Sequence, residues 1–522
     1  PAAKIFTLSY GACESDMGST ENASYNSWWQ QAASEGITAY VSAGDQGAAV
    51  CDSDSSNNPP YGWATHGIAV SGLASTPYNV SAGGTDFSDT ADGTQSAYWN
   101  TSANTTSPWI SAKSYIPEIP WNSTCASSVV VDYVGAPDPG AFCNSSSGKN
   151  FVSVGGGSGG PSTIYAVPSW QSSVYGSPSG ASAKRGQPDV SMFAASGLWG
   201  HLLVFCMSVT NAGGTPCTYS NVNDVIGNVA GGTSFVAPIL AGVQALVNKA
   251  SGQSWGNMNT KYYALAAAEY GTPGSPNSSS LTICNASNGT SSGSGCIFHD
   301  VTRGDITVPC KKGSTDCYTS YTGTTNNNCV SGGGSTNNAN ACGILSTSTT
   351  TSQPAYPATA GWDYATGLGT LDVAHLIAAV TAYSIGGAIS GLNVSNTVGL
   401  TLTDTTTSNA QAQNYGNGSF TFSTPLNSGD DWNVAVTTQP TGQTCGVSNG
   451  SGTNLSANVT NVTVTCTTNT YTLTYTTDGN GTISGTTPQN NVPYGSSGTA
   501  VTAVPNAGYH FVQWSDGSTA NP

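Results

Sequence analysis

Near residue 384 the hydrophobic pattern of this chain changes period, and that change constrains the fold more than any other feature. Before it, helix and strand signals alternate. The stretch Asn22 to Glu35 carries Trp28, Trp29, Ala32 and Ala33 at helical spacing, and Ile37-Thr-Ala-Tyr-Val-Ser follows as a short buried strand. A second helix is predicted from Ser234 to Ala250, with Ala241, Val243, Ala245, Leu246 and Val247 dense enough to be buried all round. A third is predicted from Val373 to Tyr383. Strands alternating with helices, with Gly-rich turns at strand ends, predict an α/β domain with a largely parallel sheet over residues 1–381. From Ser384 onward strict alternation takes over. Ser419-Phe-Thr-Phe-Ser and Asn433-Val-Ala-Val-Thr between Gly and Asn turns predict an all-β sandwich over 384–467. Strands at Tyr471–Thr476, Ala500–Val504 and Tyr509–Trp514 predict a second small all-β module over 469–522. The chain opens on a strand already under way and stops where another strand would be needed, so further chain is expected at both ends.

Composition separates function classes. Ten Lys and Arg stand against 26 Asp and Glu, a net charge of −16. This excludes a nucleic-acid binder, because a polyanion needs a basic patch to displace its counterions. Charged residues make up only 7% of the chain, far below the quarter usual in a soluble domain. Ser, Thr, Asn and 65 Gly replace them. Such a surface stays hydrated at any pH and suits an acidic medium, where ion pairs lose their balance as carboxylates protonate. Fourteen Cys and no C-x-x-C pair favour disulfides in an oxidising compartment over zinc ligation. Most fall near one another: Cys125 and Cys143, Cys206 and Cys217, Cys284 and Cys296, Cys310 and Cys317, Cys329 and Cys342, Cys445 and Cys466, with Cys13 and Cys51 left over. Connectivity stays open at this point. No apolar run approaches the ~18–20 residues of a membrane span. A secreted, extracellular monomer is expected. The stretches 86–150 and 310–356, rich in Ser, Thr, Asn and Gly without periodicity, read as surface loops held by local disulfides.

Two places carry chemistry. The string Gly231-Gly232-Thr233-Ser234-Phe235-Val236-Ala237-Pro238 through Gly242 puts Ser234 after a Gly-rich turn in the first turn of a helix. A hydroxyl there is exposed in a cleft, and the helix N-terminus favours negative charge developing nearby. The competing role is an N-cap. The second place is Val41-Ser42-Ala43-Gly44-Asp45-Gln46-Gly47 at a strand end. As an ordinary turn residue Asp45 has no role in chemistry. As a donor to an oxyanion it must be protonated, since a carboxylate would repel the charge, and that requires an acidic medium or burial.

The first string resembles the Gly-Thr-Ser-x-x-x-Pro nucleophile motif of the subtilisin-like peptidases. Asp45 stands where subtilisins carry an oxyanion-binding Asn, which resembles the sedolisins, the serine-carboxyl peptidases. Ser9-Tyr10-Gly11 is similar to that family's Ser-Trp-Gly strand end, with Tyr for Trp. Pro77 to Thr85, Gly155-Gly156-Gly157-Ser158 and Gln187-Pro188-Asp189-Val190-Ser191 are similar to its next strand and turn, its Gly-rich cleft loop and a structural segment before the nucleophile. The resemblance spans residues 1 to about 381. It implies a subtilisin-like, mostly parallel sheet flanked by helices, with Ser234 and Asp45 catalytic and Ser9, Tyr10, Gly11, Gly156 and Gly157 against substrate. It also implies one structural Ca2+, held by Asp300, the Val301 carbonyl, the Thr359 and Gly361 carbonyls and Asp363. Oxygen ligands with two carboxylates are what a hard cation prefers. Thr359 replaces the family's Gly, and a Cys-bearing insertion makes Asp305 a possible substitute ligand. A plain turn role for these carboxylates is the alternative.

A Ser nucleophile needs a base. None of the five His precedes Asp45, and His66 lies in a different context, so a Ser-His-Asp triad is not expected. The resemblance implies a Glu with an Asp four residues on, whose carboxyls share a helix face. Glu14, Glu21, Glu35, Glu118 and Glu269 have Gly18, Tyr25, Ala39, Asn122 and Pro273 at that spacing. The pair is therefore expected upstream of Pro1, and these 522 residues alone are expected to be inactive. Residues 384–467 resemble secreted bacterial immunoglobulin-like modules with Cys445 and Cys466 as a staple. Residues 469–522 resemble internalin-type repeats, with Tyr509, Phe511 and Trp514 expected as a small core. The expected function is a secreted, acid-active endopeptidase acting on proteins and peptides, with possible cell-wall or polysaccharide contact through the tail. The alternative is a non-catalytic adhesin on a decayed peptidase scaffold.

Overall fold

Over residues 1–380 the central sheet runs in the order β1 (Ile5–Leu8), β2 (Thr38–Ser42), β3 (Val80–Phe87), β4 (Val190–Phe193) and β5 (Thr370–Leu371), every neighbouring pair parallel. Short antiparallel strands are added at Glu118–Pro120, on β3, and at Phe298–His299, on β5. This is the α/β arrangement with a mostly parallel sheet that the alternating pattern predicts. Parallel strands are covered on both faces, and all of β2 and the first seven residues of β3 are accordingly buried. The strand order sets the C-terminal ends of β1 to β4 side by side along one edge, the edge at which open α/β sheets bind ligands. The computed structural model describes residues 3–52, 62–100, 111–175, 183–205, 209, 211, 229–292, 295–320, 341–427 and 429–522. They fall into two units, Pro1–Val380 and Thr381–Pro522.

Helix boundaries differ from the sequence reading in instructive ways. Helix α1 spans Glu14–Ser34 with a kink at Gly18, beginning well before Asn22, because the first turn is polar and leaves no apolar periodicity to see. Helix α2, Thr233–Ser251, packs on β1, β2 and β3 through Val236, Leu240, Val243 and Val247, the i, i+4, i+7 stripe of a one-sided helix. Ile239 and Leu246 are 38% and 51% exposed, so α2 is not buried all round. Helix α3 spans Asn259–Tyr270, and α4, Val373–Val380, ends three residues before Tyr383.

The two Ser/Thr/Asn/Gly-rich stretches are more than loops. Within 86–150 the helices Ser128–Val134 and Pro139–Cys143 bury Val129, Val130, Val131 and Phe142 around the Cys125–Cys143 disulfide. Within 310–356 the segments Cys317–Tyr318 and Cys342–Leu345 join Pro309–Lys311 in an antiparallel sheet. Residues 101–110 and 321–340 of these stretches lie outside the described residues. Disulfides join Cys13 to Cys51, Cys284 to Cys296, Cys310 to Cys317 and Cys445 to Cys466. Cys206, Cys217 and Cys329 are outside the described residues.

The second unit contains two four-stranded sheets. With β6 (Ile385–Ser390), β7 (Val398–Asp404), β8 (Ala410–Tyr415), β9 (Gly418–Thr421), β10 (Trp432–Thr438), β11 (Gln443–Ser448), β12 (Ser451–Gly452) and β13 (Val459–Thr468), their orders are β9-β6-β13-β11 and β8-β7-β10-β12. Ile385, Leu400, Phe420, Trp432, Val434 and Val464 share one apolar core. Cys445 and Cys466 are direct cross-strand partners on β11 and β13, so this disulfide lies within one sheet, whereas an immunoglobulin disulfide crosses between two. After residue 468 two antiparallel ribbons form, Thr470–Leu473 with Gln489–Pro493 and Gly481–Ser484 with Thr502–Pro505. Tyr509–Trp514 is not a strand. Tyr509 is exposed, and Phe511 and Trp514 are only half-buried, their rings 5.3 Å apart. Two-stranded ribbons lack the covering layer that would bury aromatics as a core.

Under the parallel sheet lies a buried polar cluster. Arg185 and Asp189 are both fully buried and pair at 2.6 Å. The same carboxylate accepts from the Ser81 N–H at 2.8 Å, Asn259 Nδ2 at 3.0 Å and the Tyr263 hydroxyl at 2.9 Å. One residue therefore ties β3, β4 and α3 together, which accounts for Asp189 in the segment read from sequence as structural. A separate buried pair of bonds runs from the Tyr40 hydroxyl to Gln244 and Tyr262. Asp189→Ala leaves Arg185 buried without its counter-ion and is expected to cost about 3–5 kcal/mol of stability. Urea unfolding measures this, and a loss below about 1 kcal/mol would show that the cluster does not hold the sheet to α3.

Candidate active site

Leu203–Val204 pairs antiparallel with Val229–Ala230, which leads directly into Gly231, Gly232 and α2. Gly232 has φ 124°, a conformation open to glycine and strained for other residues, and its N–H donates to the Ala194 carbonyl at 2.7 Å. Gly232, not Ser234, is the N-cap. Ser234 sits one residue inside the helix and is half-buried, so the capping role does not apply to it. Pro238 lies four residues on and has no N–H, so the Ser234 carbonyl loses its intrahelical partner. The Ser9 hydroxyl, at the end of β1, donates to that carbonyl at 2.6 Å. The proline thus frees an acceptor, and the strand end uses it to fix its position against the helix.

Asp45 closes the other side. Its Oδ1 accepts from the Thr233 N–H and the Thr233 hydroxyl, each at 2.7 Å. Thr233 Oγ1 also lies 3.1 Å from the Gly44 carbonyl, and Ser42 Oγ donates to the Thr233 carbonyl at 3.1 Å. A Cβ built on Gly232 would stand 2.8 Å from Asp45 Oδ2. Sequence reasoning did not single out Thr233 or Ser42; the signal was Thr233's place between a glycine turn and Ser234.

Ser9, Tyr10, Gly11, Asp45 and Ser234 line one cleft of about 410 Å³, together with Asp16 and the Cys13–Cys51 disulfide. Tyr10 is 67% exposed, so the strand end beside Ser234 is open to an added peptide. Gly156 and Gly157 are placed differently. Both are buried, and their N–H groups donate to the Asp45 carbonyl at 3.0 Å and the Trp121 carbonyl at 2.8 Å. They back the Asp45 loop from behind, and the cleft is lined without them.

Among the described residues no His or Glu lines this cleft. His66 pairs with Asp52 at 2.7 Å, and His201 lies between Asp86 and Asp89. Glu14 accepts from Ser162 and Thr163, Glu118 from Thr85 and Thr370, and Glu269 from the Ile297 and Phe298 N–H groups.

The segment 359–361 bonds to both expected carboxylate ligands through its N–H groups. Asp300 Oδ2 accepts from the Gly361 N–H at 2.8 Å and Asp363 Oδ2 from the Thr359 N–H at 2.7 Å. Burial pushes Asp300 up to about 8 and Asp363 up to about 7, and the Asp363 charge raises Asp300 further. Asp300 Oδ1 is buried without a hydrogen-bond partner. An orphaned carboxylate oxygen beside a second buried carboxylate fits a hard cation. Asp305 does not join them: its Oδ1 accepts from Asn122 and the Thr307 N–H, and its Oδ2 from the Ser128 N–H.

Comparison with known proteins bears out the resemblance read from the motifs. The chain is 25% identical over 385 residues to sedolisin from Pseudomonas sp. (strain 101), covering 74% of this chain and 42% of that protein. It thus spans about two fifths of the length of the curated relative it matches. Among solved structures it matches a Pseudomonas sedolisin (serine-carboxyl proteinase) complexed with two molecules of pseudo-iodotyrostatin, at 23% identity and TM-score 0.40, covering 72% of this chain and 64% of that one. The family model for the divergent InlB B-repeat domain matches residues 471–521, in agreement with the internalin-type reading of the tail.

The junction of α2 with the β2 end can be tested apart from any activity. Thr233→Val keeps the shape but removes the hydroxyl that bonds Gly44 and Asp45. Chemical denaturation is expected to show a loss of roughly 1–3 kcal/mol, the penalty for leaving a buried acceptor unmatched; an unchanged midpoint would show that the hydroxyl is dispensable.

Proposed function

We propose that the whole protein is a secreted, acid-active serine-carboxyl endopeptidase. The observation that carries this reading is the placing of Ser234 and Asp45 on one helix N-terminus, with Thr233 bonded to the Asp45 carboxyl. A peptide added along Ser9-Tyr10-Gly11 brings its scissile carbonyl over Ser234 Oγ, which attacks the carbonyl carbon. The first N–H groups of a helix have no intrahelical partner, so the Ser234 N–H and the protonated Asp45 carboxyl converge on the oxyanion that forms. An acid medium supplies the Asp45 proton, and a surface with 7% charged residues tolerates such a medium. The Ser234 proton goes to a base, which the sedolisin resemblance makes a Glu paired with an Asp; neither is among the cleft-lining residues described above. No described helix is long and apolar enough to cross a membrane, and the disulfides agree with an extracellular location. The second unit serves as an adaptor to a cell surface or polysaccharide, supported by the InlB-type match. That match alone favours the alternative, a non-catalytic adhesin.

Assayed at about pH 3–5 on the protein in its natural full-length form, Ser234→Ala is expected to abolish peptide hydrolysis. Asp45→Ala is expected to lose roughly 2.7–4 kcal/mol of transition-state stabilisation, about 10²–10³ in kcat. Full activity in Ser234→Ala would sink the Ser234 assignment, and no hydrolysis by the wild-type protein would leave the adhesin.

The cation site adds a stability prediction. With Asp300 raised to about 8 and Asp363 to about 7, the metal-free fold holds their protons more tightly than the unfolded chain does. It loses stability as pH rises from about 4 through 8. Bound Ca2+, coordinated by Asp300 and Asp363 with the carbonyls of Val301, Thr359 and Gly361, would offset the buried negative charge. After metal removal, added calcium is expected to raise Tm strongly at pH 7.5 and little at pH 4, and Asp300→Ala to erase the response. A Tm indifferent to calcium at pH 7.5 would refute the site.

A further inference from the structure

The same sheet edge carries a second cavity, of about 490 Å³, where β3 and β4 end in Phe87 and Phe193. Three connections bind its walls to the nucleophile turn. Leu203 and Val204 pair with Ala230 and Val229, the residues just before Gly231. Phe205 lies 5.8 Å, ring to ring, from Phe235, the residue after Ser234. Gly232 donates to the carbonyl of Ala194, the neighbour of Phe193. The cavity therefore opens beside Ser234 on the side of β3 and β4, and the strand end Ser9-Tyr10-Gly11 lies on the side of β1. A peptide that pairs with β1 before its scissile bond runs toward this cavity after it.

The floor is His201, a residue for which the proposed chemistry has no use. Its Nδ1 and Nε2 each lie 3.1 Å from a carboxylate oxygen, of Asp86 and Asp89, and its side chain is only 10% exposed. Trp99 Nε1 donates to the other Asp89 oxygen at 2.8 Å. The ring stacks near Trp99 and meets Phe87 edge-on at 5.4 Å. Nδ1 is hydrogen-bonded to Asp86, and Nε2 faces Asp89 rather than the cavity's other walls. Phe87, Trp99, Phe193, Trp199, Leu202 and Val204 make the lining mainly aromatic and aliphatic, with Gln95 as its polar side chain beside His201. Val204, 53% exposed, supplies an apolar rim.

We infer that this cavity binds a bulky apolar or aromatic side chain on the leaving-group side of the scissile bond; the inference rests on the peptidase reading above. Burying such a side chain gives a preference over Ala of about 10–100-fold in kcat/KM. Val204→Trp fills the cavity from its exposed wall without touching the His201 cluster, and an unchanged Tm verifies that it folds.

The test uses peptides differing only in having Phe, Leu or Ala at each of the first three positions after the scissile bond. Wild type is expected to prefer Phe or Leu at one position by about 10-fold or more, and Val204→Trp to lose that preference. Absence of the preference, or its survival in Val204→Trp, overturns the cavity assignment. Hydrolysis that is missing, or that persists in Ser234→Ala, overturns the peptidase reading instead. The cavity is then judged by calorimetric binding of the same peptides to Ser234→Ala. A Phe-over-Ala difference erased by adding Val204→Trp supports it, and equal binding refutes it.

Discussion

The closure of the Asp45 carboxyl on the first turn of α2 is the contact on which the site depends. A helix N-terminus presents N–H groups that the helix itself cannot satisfy, and Asp45 Oδ1 takes one of them together with the Thr233 hydroxyl. The carbonyl freed by Pro238 is taken by Ser9, and Ser42 takes the carbonyl of Thr233. These bonds join α2 to the ends of two parallel strands, β1 and β2. Ser234 is thereby held between two strand ends.

This arrangement restricts which residue types can stand around Ser234. Gly231 packs where a Cβ would stand 2.0 Å from the Ala195 carbonyl. Gly232 needs its positive φ, Thr233 needs a hydroxyl that reaches two partners, and Pro238 must lack its N–H. Four residues thus serve the position of a fifth, and none of the four reacts. The buried Arg185–Asp189 pair does comparable work one layer below, where Asp189 holds β3 and α3 to its own strand.

Much of this was legible in the sequence because the signals were backbone signals. The Gly-Gly-Thr-Ser string, the strand end before Asp45 and the change of period near Ser384 each reflect a local requirement that residue type expresses directly. What could not be read depended on distant partners. Gly156 and Gly157 look like an exposed glycine loop, yet their N–H groups are spent on Asp45 and Trp121. The polar first turn of α1 gives no periodicity, and the all-Ala, Leu and Val face of α2 hides which side is outward. Tyr509–Trp514 alternates like a strand, but alternation does not supply a pairing neighbour. The helices and sheet inside 86–150 and 310–356 are stabilised by disulfides and by contacts far apart in sequence, so the segments themselves read as loops.

Low charge at the surface and charge in the interior follow from one constraint. On the proposed reading, a protein working in acid gains little from surface carboxylates that titrate away, so its ionisable groups are informative where they are buried. Asp189 with Arg185, His201 with Asp86 and Asp89, and the pair Asp300 and Asp363 are all such groups. The first is neutral as a pair and holds the sheet. The third carries like charges that only a cation or protons can settle, and so it responds to its medium. The His201 cluster differs from both, because its ring stands between two carboxylates yet also lines a cavity beside the turn before Ser234. A cluster meant only to staple the fold has no need to present a face to a cavity. Its position is better explained by what the cavity admits.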